Sequence, residues 1–232
     1  KGSTYTGIDM AENLIEMGKK LFVENRLQGE FIHSDVYVYD AEDSYDVVIC
    51  QAVLRHLDSA ERFVKRMMEF AKPGAYIICI DSNREFECDG LYIDGMDYFR
   101  LCEHAGMEKN WKTELEQQGR DYADAIRNAH MMRRLGLKDV DVRMNDRVDF
   151  ITPQREDYEQ RKHDFIEYND WSRGLTEEQK EKSIQYFLTH GMTRKEAVDF
   201  CERNMEIARF FQENPNARYT FVKETMISYG KK

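Results

Sequence analysis

Apolar runs and helical periodicities alternate along the first two thirds of the chain. Four strand-like runs stand out, at residues 5–9, 31–35, 45–50 and 76–81. The last two are almost continuously apolar, which is typical of strands covered on both faces. Apolar residues recur at helical spacing over 11–23 and again after Asp58, until Lys72-Pro73-Gly74 ends the second helix. This alternation predicts a parallel sheet with right-handed crossovers, an α/β fold.

The rest of the chain predicts helices and a closing strand. A helical stretch covers roughly 96–135, and alternating apolar positions predict a strand over 140–151. The following residues are helical and more polar, with capping-box patterns at Thr176 and Thr193. Tyr219 to Tyr229 predicts one final strand. The predicted units are an α/β core at 1–153, a helical insertion or lid at 154–214, and a last core strand at 215–232.

Composition excludes several classes of protein. The 232 residues carry 41% hydrophobic side chains and a net charge of −10, which supports a packed core and disfavours nucleic-acid binding. No apolar run approaches the roughly 18 residues of a membrane helix, so we expect no membrane association. The five cysteines form no CxxC pattern. With the absence of a signal peptide, they predict the reducing cytoplasm.

Two acidic residues stand at predicted strand ends. Asp9 closes the run Thr6-Gly7-Ile8-Asp9, and Asp35 closes the next strand. In doubly wound sheets ligands bind beyond the carboxyl ends of the strands, where a carboxylate can accept both hydroxyls of a ribose. The alternatives are a helix-capping role for Asp9 and an ordinary polar strand end for Asp35.

Two further segments, taken together with these acids, resemble the motifs of a known family. One is Tyr45-Asp-Val-Val-Ile-Cys-Gln-Ala-Val-Leu-Arg-His-Leu-Asp58, and the other is Lys72-Pro-Gly-Ala-Tyr-Ile-Ile-Cys-Ile-Asp81. In this order and spacing, the four segments resemble the class I S-adenosylmethionine-dependent methyltransferases, and more closely their small-molecule, type 11 group. The resemblance covers most of residues 5–151 and includes an ending similar to the family's last antiparallel strand. It implies a doubly wound, mostly parallel, seven-stranded Rossmann-like sheet.

The same resemblance implies S-adenosylmethionine as the cofactor, S-adenosylhomocysteine as its product, and a small-molecule methyl acceptor. Asp9 would bind the ribose hydroxyls and Met10 would pack on the adenine. Asp35 and Val36 would hold the adenine edge. The residues expected near the methionine end of the cofactor are Cys50, Gln51 and Ala52.

One departure from the family is large. The glycine-rich turn that follows the family's first strand is absent, and counting back about 20 residues from Asp9 places it before Lys1. The absent strand would lie between those ending at Asp9 and Cys50. We expect either a missing segment of the same protein, through truncation or omission from the numbering, or a partner chain that supplies it. A homodimer is a further expected arrangement.

This departure keeps two other functions open. The chain could be a non-catalytic or split subunit that completes a methyltransferase fold with a partner. An NAD(P)-dependent oxidoreductase is the other alternative, because an acid after the second strand also serves that cofactor.

Catalytic residues are less marked in the sequence. His56 is the candidate general base, because an unperturbed histidine titrates near neutral pH, and the alternative is a structural histidine at a helix start. The remaining histidines have no metal-ligand spacing, so we expect no catalytic metal. Side chains on the substrate side of the predicted sheet or in the aromatic stripe of the insertion form the expected substrate pocket: Asp81, Asn83, Arg84, Tyr168 and Trp171. The stripe could equally be a packing face.

Overall fold

The computed structural model describes residues 2–41, 44–83, 90–172 and 174–232. Its strands, numbered along the chain, are β1 Thr6–Asp9, β2 Glu30–His33, β3 Tyr45–Gln51, β4 Ala71–Ser82, β5 Leu91–Ile93, β6 Lys138–Met144, β7 Val148–Ile151, β8 Tyr219–Val222 and β9 Thr225–Lys231. Its helices are α1 Glu12–Glu24, α2 Ala60–Phe70, α3 Tyr98–Leu101, α4 Met107–Gln118, α5 Asn128–Arg134, α6 Tyr158–Tyr168, α7 Glu177–Thr189 and α8 Arg194–Glu213. A 3₁₀ turn covers Leu54–His56. The predicted mixed α/β architecture is confirmed.

The described strands form three separately hydrogen-bonded sheets. β1 and β2 pair in parallel, and the second sheet has the order β3-β4-β9-β6. In that second sheet β3 and β4 are parallel, while β9 runs antiparallel to both of its neighbours. The third sheet, β5-β8-β7, is antiparallel and has no counterpart in the sequence-based prediction.

The break between the first two sheets falls where the sequence predicts an absent strand. Among the described strands, β1 pairs only with β2, and β3 pairs only with β4. Val47 and Ile49 on β3 are 47% and 56% exposed, which is unusual for apolar residues of an inner strand. The seven-strand count and the absent strand itself stay predictions.

Two segments predicted as single strands are each divided between two sheets. The 140–151 segment divides into β6 in the core sheet and β7 in the small sheet. The closing segment divides into β8 in the small sheet and β9 in the core sheet. The first division comes at Asn145, whose N–H donates to the Thr225 carbonyl and whose side chain accepts from the Arg147 N–H. The second comes at Lys223, where the chain turns from the small sheet into the core sheet. The prediction of one final core strand at 215–232 was therefore wrong in its first half.

Helix boundaries also differ from the prediction. The stretch 96–135 is divided into α3, α4 and α5, because Gly106 and Gly119 adopt left-handed backbone at the two ends of α4. Gly119 also lies against Asp58, since a Cβ there would stand 2.5 Å from the Asp58 carbonyl oxygen. Ser59, one residue after the predicted start, caps α2 by accepting from the Arg62 N–H.

The insertion is helical, as predicted, and both capping boxes are confirmed. Thr176 and Thr193 each accept from the backbone N–H of the third helical residue, whose side chain bonds back. The buried side chains form three clusters, one between the core sheet and its helices, one centred on Phe165, and one between α7 and α8. Within the described residues, no helix is both long and apolar enough to cross a membrane.

Candidate functional site

A cleft of about 560 Å³ lies between the β1–β2 pair and β3, running along β3 from Tyr45 and reaching past the carboxyl ends of the strands. We call it the strand-end cleft. It gathers side chains from four separate segments of sequence, including every residue predicted to bind the cofactor and the candidate base: Asp9, Met10, Asp35, Val36, Cys50, Gln51, Ala52 and His56. These residues meet because parallel strands place their carboxyl ends at one edge.

One carboxylate oxygen of Asp9 accepts a hydrogen bond from the neighbouring backbone. Its Oδ1 accepts a 2.8 Å hydrogen bond from the Ala11 N–H, which orders the turn into α1. Next to it, a 2.9 Å hydrogen bond joins the Met10 carbonyl oxygen and His33 Nε2. The helix-capping alternative for Asp9 is wrong, because Ala11 is the N-cap of α1 and no described side chain caps the start of that helix. The Asp9 hydrogen bond holds the turn before the helix. The carboxylate retains a second oxygen for a ligand in the cleft.

Asp35 has a similar geometry on the neighbouring strand. Its Oδ1 accepts a 2.8 Å hydrogen bond from the Tyr37 N–H. The Tyr37 ring packs edge-on against Phe63, with centroids 6.1 Å apart, and lies under the Arg62 guanidinium at 4.4 Å. Both acids are therefore held in fixed turns and are half-buried at the rim of the same cleft.

The end of β3 forms the floor of the cleft. Cys50 is 6% exposed and lies opposite Cys79 in the register of β3 and β4. Its side-chain hydrogen bond with Cys79, together with burial, holds the pKa of the Cys50 thiol well above its ordinary range. The thiol is therefore uncharged where it lines the cleft. Ala52 has a φ of +54°, a left-handed conformation rare outside glycine, and its N–H donates to the Ile80 carbonyl.

His56 lies in the 3₁₀ turn and is exposed to the cleft. Its Nε2 accepts a 3.1 Å hydrogen bond from Arg55 Nε. Because an arginine can only donate, this contact identifies Nε2 as the nitrogen with the free electron pair. A substrate that gives its proton to His56 would take the place of Arg55 at that nitrogen.

A second cavity of about 380 Å³, which we call the aromatic cavity, lies under the helical insertion. Among the described residues, eight aromatic side chains line it, and they include Tyr168 and Trp171 from the predicted substrate pocket. The Trp171 indole donates a 3.1 Å hydrogen bond to Asn204 Oδ1 and stacks on Phe211. The aromatic stripe is therefore both a packing face and a cavity wall.

Asp81 and Asn83 are placed differently from these two aromatics. They are 2% and 0% exposed, and they line neither the strand-end cleft nor the aromatic cavity. Burial and the neighbouring carboxyl of Asp124 raise the pKa of Asp81 to about 7. Burial and Asp121 raise the pKa of Asp124 to about 6. The remaining predicted pocket residue, Arg84, lies outside the described residues.

Sequence reasoning missed two buried acids, Asp124 and Glu114. Asp124 lies in a polar connection with no periodicity, and no pattern in the sequence singles it out. Glu114 on α4 carried a usable signal, because Asn110, Trp111 and Glu114 share one helix face and tryptophan is usually buried. Two polar residues one turn apart, beside a buried tryptophan on the same part of a helix, indicate a polar pocket.

Comparisons with known proteins agree with this geometry. Residues 1–79 match the family model described as a methyltransferase domain, of type 11. A ubiquinone biosynthesis O-methyltransferase of Coxiella burnetii (strain RSA 493) is 26% identical over 98 residues, which is 42% of each chain. A protein of the same name from Rickettsia conorii is 29% identical over 84 residues, 36% of this chain and 29% of its own length. The resemblance inferred from the four segments is confirmed.

The solved structures extend the likeness to the fold of the whole chain. A crystal structure described as a putative methyltransferase from Bacillus halodurans aligns with a TM-score of 0.50 at 12% identity. The alignment covers 99% of this chain and 83% of that one. At this identity the likeness establishes the Rossmann-like fold. The sequence alignment spans about two fifths of the length of the Coxiella relative.

Proposed function

We propose that this chain, whose first 79 residues belong to the methyltransferase domain family of class I S-adenosylmethionine-dependent enzymes, transfers a methyl group from S-adenosylmethionine to a small-molecule acceptor. The observation that carries the proposal is the strand-end cleft, where seven residues from separate segments converge as the cofactor assignment requires.

Different residues of the cleft bind different parts of the cofactor. Asp9 binds the ribose hydroxyls through its second carboxylate oxygen, and Met10 packs on the adenine. Asp35 and Val36 hold the adenine edge. Cys50, Gln51 and Ala52 lie along the methionine end.

The aromatic cavity is the proposed acceptor site. It adjoins the cleft, because Tyr122 in its wall contacts His56 in the cleft, and Tyr168 and Trp171 belong to its lining. In-line transfer needs the acceptor held against the methyl group in a site from which water is excluded. An aromatic cavity beside the methionine end of the cofactor meets both needs.

Isothermal titration of the natural full-length protein with S-adenosylmethionine tests the cofactor assignment. Asp9→Asn retains the acceptor for the Ala11 N–H but removes the charge, so we expect binding to weaken by about tenfold or more. Glu12→Gln is the matched control, since Glu12 is exposed and lies outside the cleft lining. The proposal fails if the wild type does not bind, or if Asp9→Asn binds as tightly as Glu12→Gln.

A further strand between β1 and β3 would complete a seven-stranded sheet in this proposal. The unpaired edges of β1 and β3, and the exposed Val47 and Ile49 between them, support it. We propose that this strand comes from a segment of the same protein, or alternatively from another chain, a second copy included. The intact mass of the purified protein separates the cases, because a mass near 27.6 kDa with a co-purifying chain favours a split or dimeric enzyme.

The compartment proposed for this enzyme is the cytoplasm. The described cysteines are all free, and Cys50, Cys79 and Cys201 are buried as small apolar side chains. Reduced, buried thiols are typical of proteins kept in a reducing environment.

A further inference from the structure

The wall of the aromatic cavity contains a buried carboxylate that the proposed chemistry has not yet used. Glu114 on α4 is 3% exposed and lines the cavity. The Tyr186 hydroxyl donates to its Oε1. Burial raises the pKa of Tyr186 to about 12, with Glu114 adding to the shift, so this phenol keeps its proton at neutral pH. One oxygen of Glu114 therefore has a fixed donor.

Within the described residues, no hydrogen bond of good geometry reaches the other oxygen or a neighbouring amide oxygen. The Tyr122 hydroxyl lies close to Glu114, and burial and then Glu114 raise the pKa of Tyr122. The two oxygens are Glu114 Oε2 and Asn110 Oδ1, and both are buried. The two residues are four positions apart on α4, and both line the cavity. Buried acceptors without donors are destabilising, so they are rare unless a ligand or an ordered water supplies the donors.

The surrounding rings favour one kind of donor. Trp111 and Tyr122 line the cavity with Glu114, and Tyr168, Trp171 and Tyr186 line it from the insertion. The faces of aromatic rings attract cations, and the attraction is greater where water is excluded. A carboxylate, an amide oxygen and several ring faces together match an ammonium group, which has three donors and a positive charge.

We propose that the aromatic cavity binds its ligand through a protonated amine held by Glu114 and Asn110 among the aromatic rings. That this ligand is the methyl acceptor rests on the proposed function above. The body of such a ligand is apolar and flat enough to stack on the rings, so the substrate class is an amine with an aromatic body. Arg203 is the cation of the same wall, and its guanidinium lies over the Phe200 ring at 4.9 Å. An anion held by Arg203 is the competing outcome of the test.

The experiment titrates the natural full-length protein, without S-adenosylmethionine, with three probes that share a phenylethyl body. They are 2-phenylethylamine, the neutral 2-phenylethanol and the anionic 3-phenylpropionate, all fragments expected to bind in roughly the millimolar range. We expect the amine to bind at least about tenfold more tightly than the alcohol. Glu114→Gln, which still accepts from Tyr186, should remove that advantage and leave the alcohol unchanged.

Glu116→Gln is the matched control, because Glu116 lies on the same helix with its side chain 64% exposed. The proposal is overturned if the amine binds no better than the alcohol, if the propionate binds best, or if Glu114→Gln weakens both ligands equally. Thermal unfolding of each variant shows whether the fold is intact. The titration omits the cofactor, so a negative result here is distinct from a failure of S-adenosylmethionine binding.

Discussion

The His56 imidazole meets the Tyr122 ring edge to face, with centroids 6.5 Å apart and an interplanar angle of 83°. His56 lines the strand-end cleft and Tyr122 lines the aromatic cavity. The contact therefore joins the proposed cofactor site to the proposed acceptor site. A proton leaving the acceptor at this junction would reach His56 at its Nε2, where Arg55 now donates.

The first prediction follows from that position. His56→Ala should lower kcat for methyl transfer by about 10²-fold or more, which is the usual effect of losing a general base, and leave the affinity for S-adenosylmethionine unchanged. Single-turnover kinetics and cofactor titration measure the two quantities separately. His130→Ala, a change at an exposed histidine outside both sites, is the control. If the rate of the variant stays within about threefold of the wild type, the loss is too small for a general base. His56 would then line the cleft without taking a proton from the acceptor.

The second prediction concerns the buried Asp81. A carboxyl whose pKa is raised in the folded state favours folding while it is protonated, so its contribution is present below pH 4 and is lost as the pH rises towards 7. Asp81→Asn cannot ionise. Between pH 5 and pH 8 the variant should gain of the order of 3 kcal/mol in free energy of unfolding relative to the wild type.

Urea unfolding at several pH values measures this difference. Asp46→Asn, at a side chain that is 83% exposed, should follow the wild type at every pH. Parallel pH profiles for Asp81→Asn and the wild type would show that Asp81 ionises normally in the folded protein, against the environment that the structure gives it.

The strand-end cleft could be predicted from sequence because its parts are local. Each strand that leads to it is a short apolar run, and Asp9 and Asp35 follow directly where the runs stop. Once the strands are parallel, their ends must meet. The family resemblance then assigned roles to residues that the topology had already brought together.

The acceptor side could not be predicted in the same way. Glu114 and Tyr186 are 72 positions apart and lie on helices whose polar residues look like solvated faces in the sequence. The small antiparallel sheet joins β5, β7 and β8 across more than a hundred residues, and no local pattern reports such pairing. Its strands are short, and the alternation of β8 continues into β9 without a turn signal stronger than Lys223-Glu224.

The third prediction tests the backbone at Ala52. A non-glycine residue in the left-handed region costs about 1–2 kcal/mol, and Ala52 has a φ of +54° beside the cofactor cleft. Ala52→Gly should leave the free energy of unfolding unchanged or raise it by about 1 kcal/mol, since the strain is relieved while the unfolded chain gains entropy. Ala52→Val should lower it by about 2 kcal/mol, because a β-branched residue tolerates this conformation least. Equal stability of the two variants in chemical denaturation would contradict the observed conformation.

The fourth prediction concerns the aromatic cluster that supports the acceptor cavity. Phe165 stacks on Tyr219 at a centroid distance of 4.4 Å and packs against Trp171 at 5.5 Å, so α6 is tied to β8 and to the segment that follows α6. Phe165→Ala should cost about 3–5 kcal/mol by chemical denaturation, since it removes a ring that is 8% exposed and leaves a hole among its neighbours.

Phe165→Leu keeps part of the volume and should cost less than Phe165→Ala, while Phe99→Ala, at a ring that is 82% exposed, should be nearly neutral. Tryptophan fluorescence reports the cluster directly, because Trp171 is part of it. If Phe165→Ala unfolds at the same denaturant concentration as Phe99→Ala, the cluster does not hold the insertion in place. If it unfolds earlier, with a loss of 2-phenylethylamine binding below the transition, the packing of Phe165 and the shape of the acceptor cavity depend on each other.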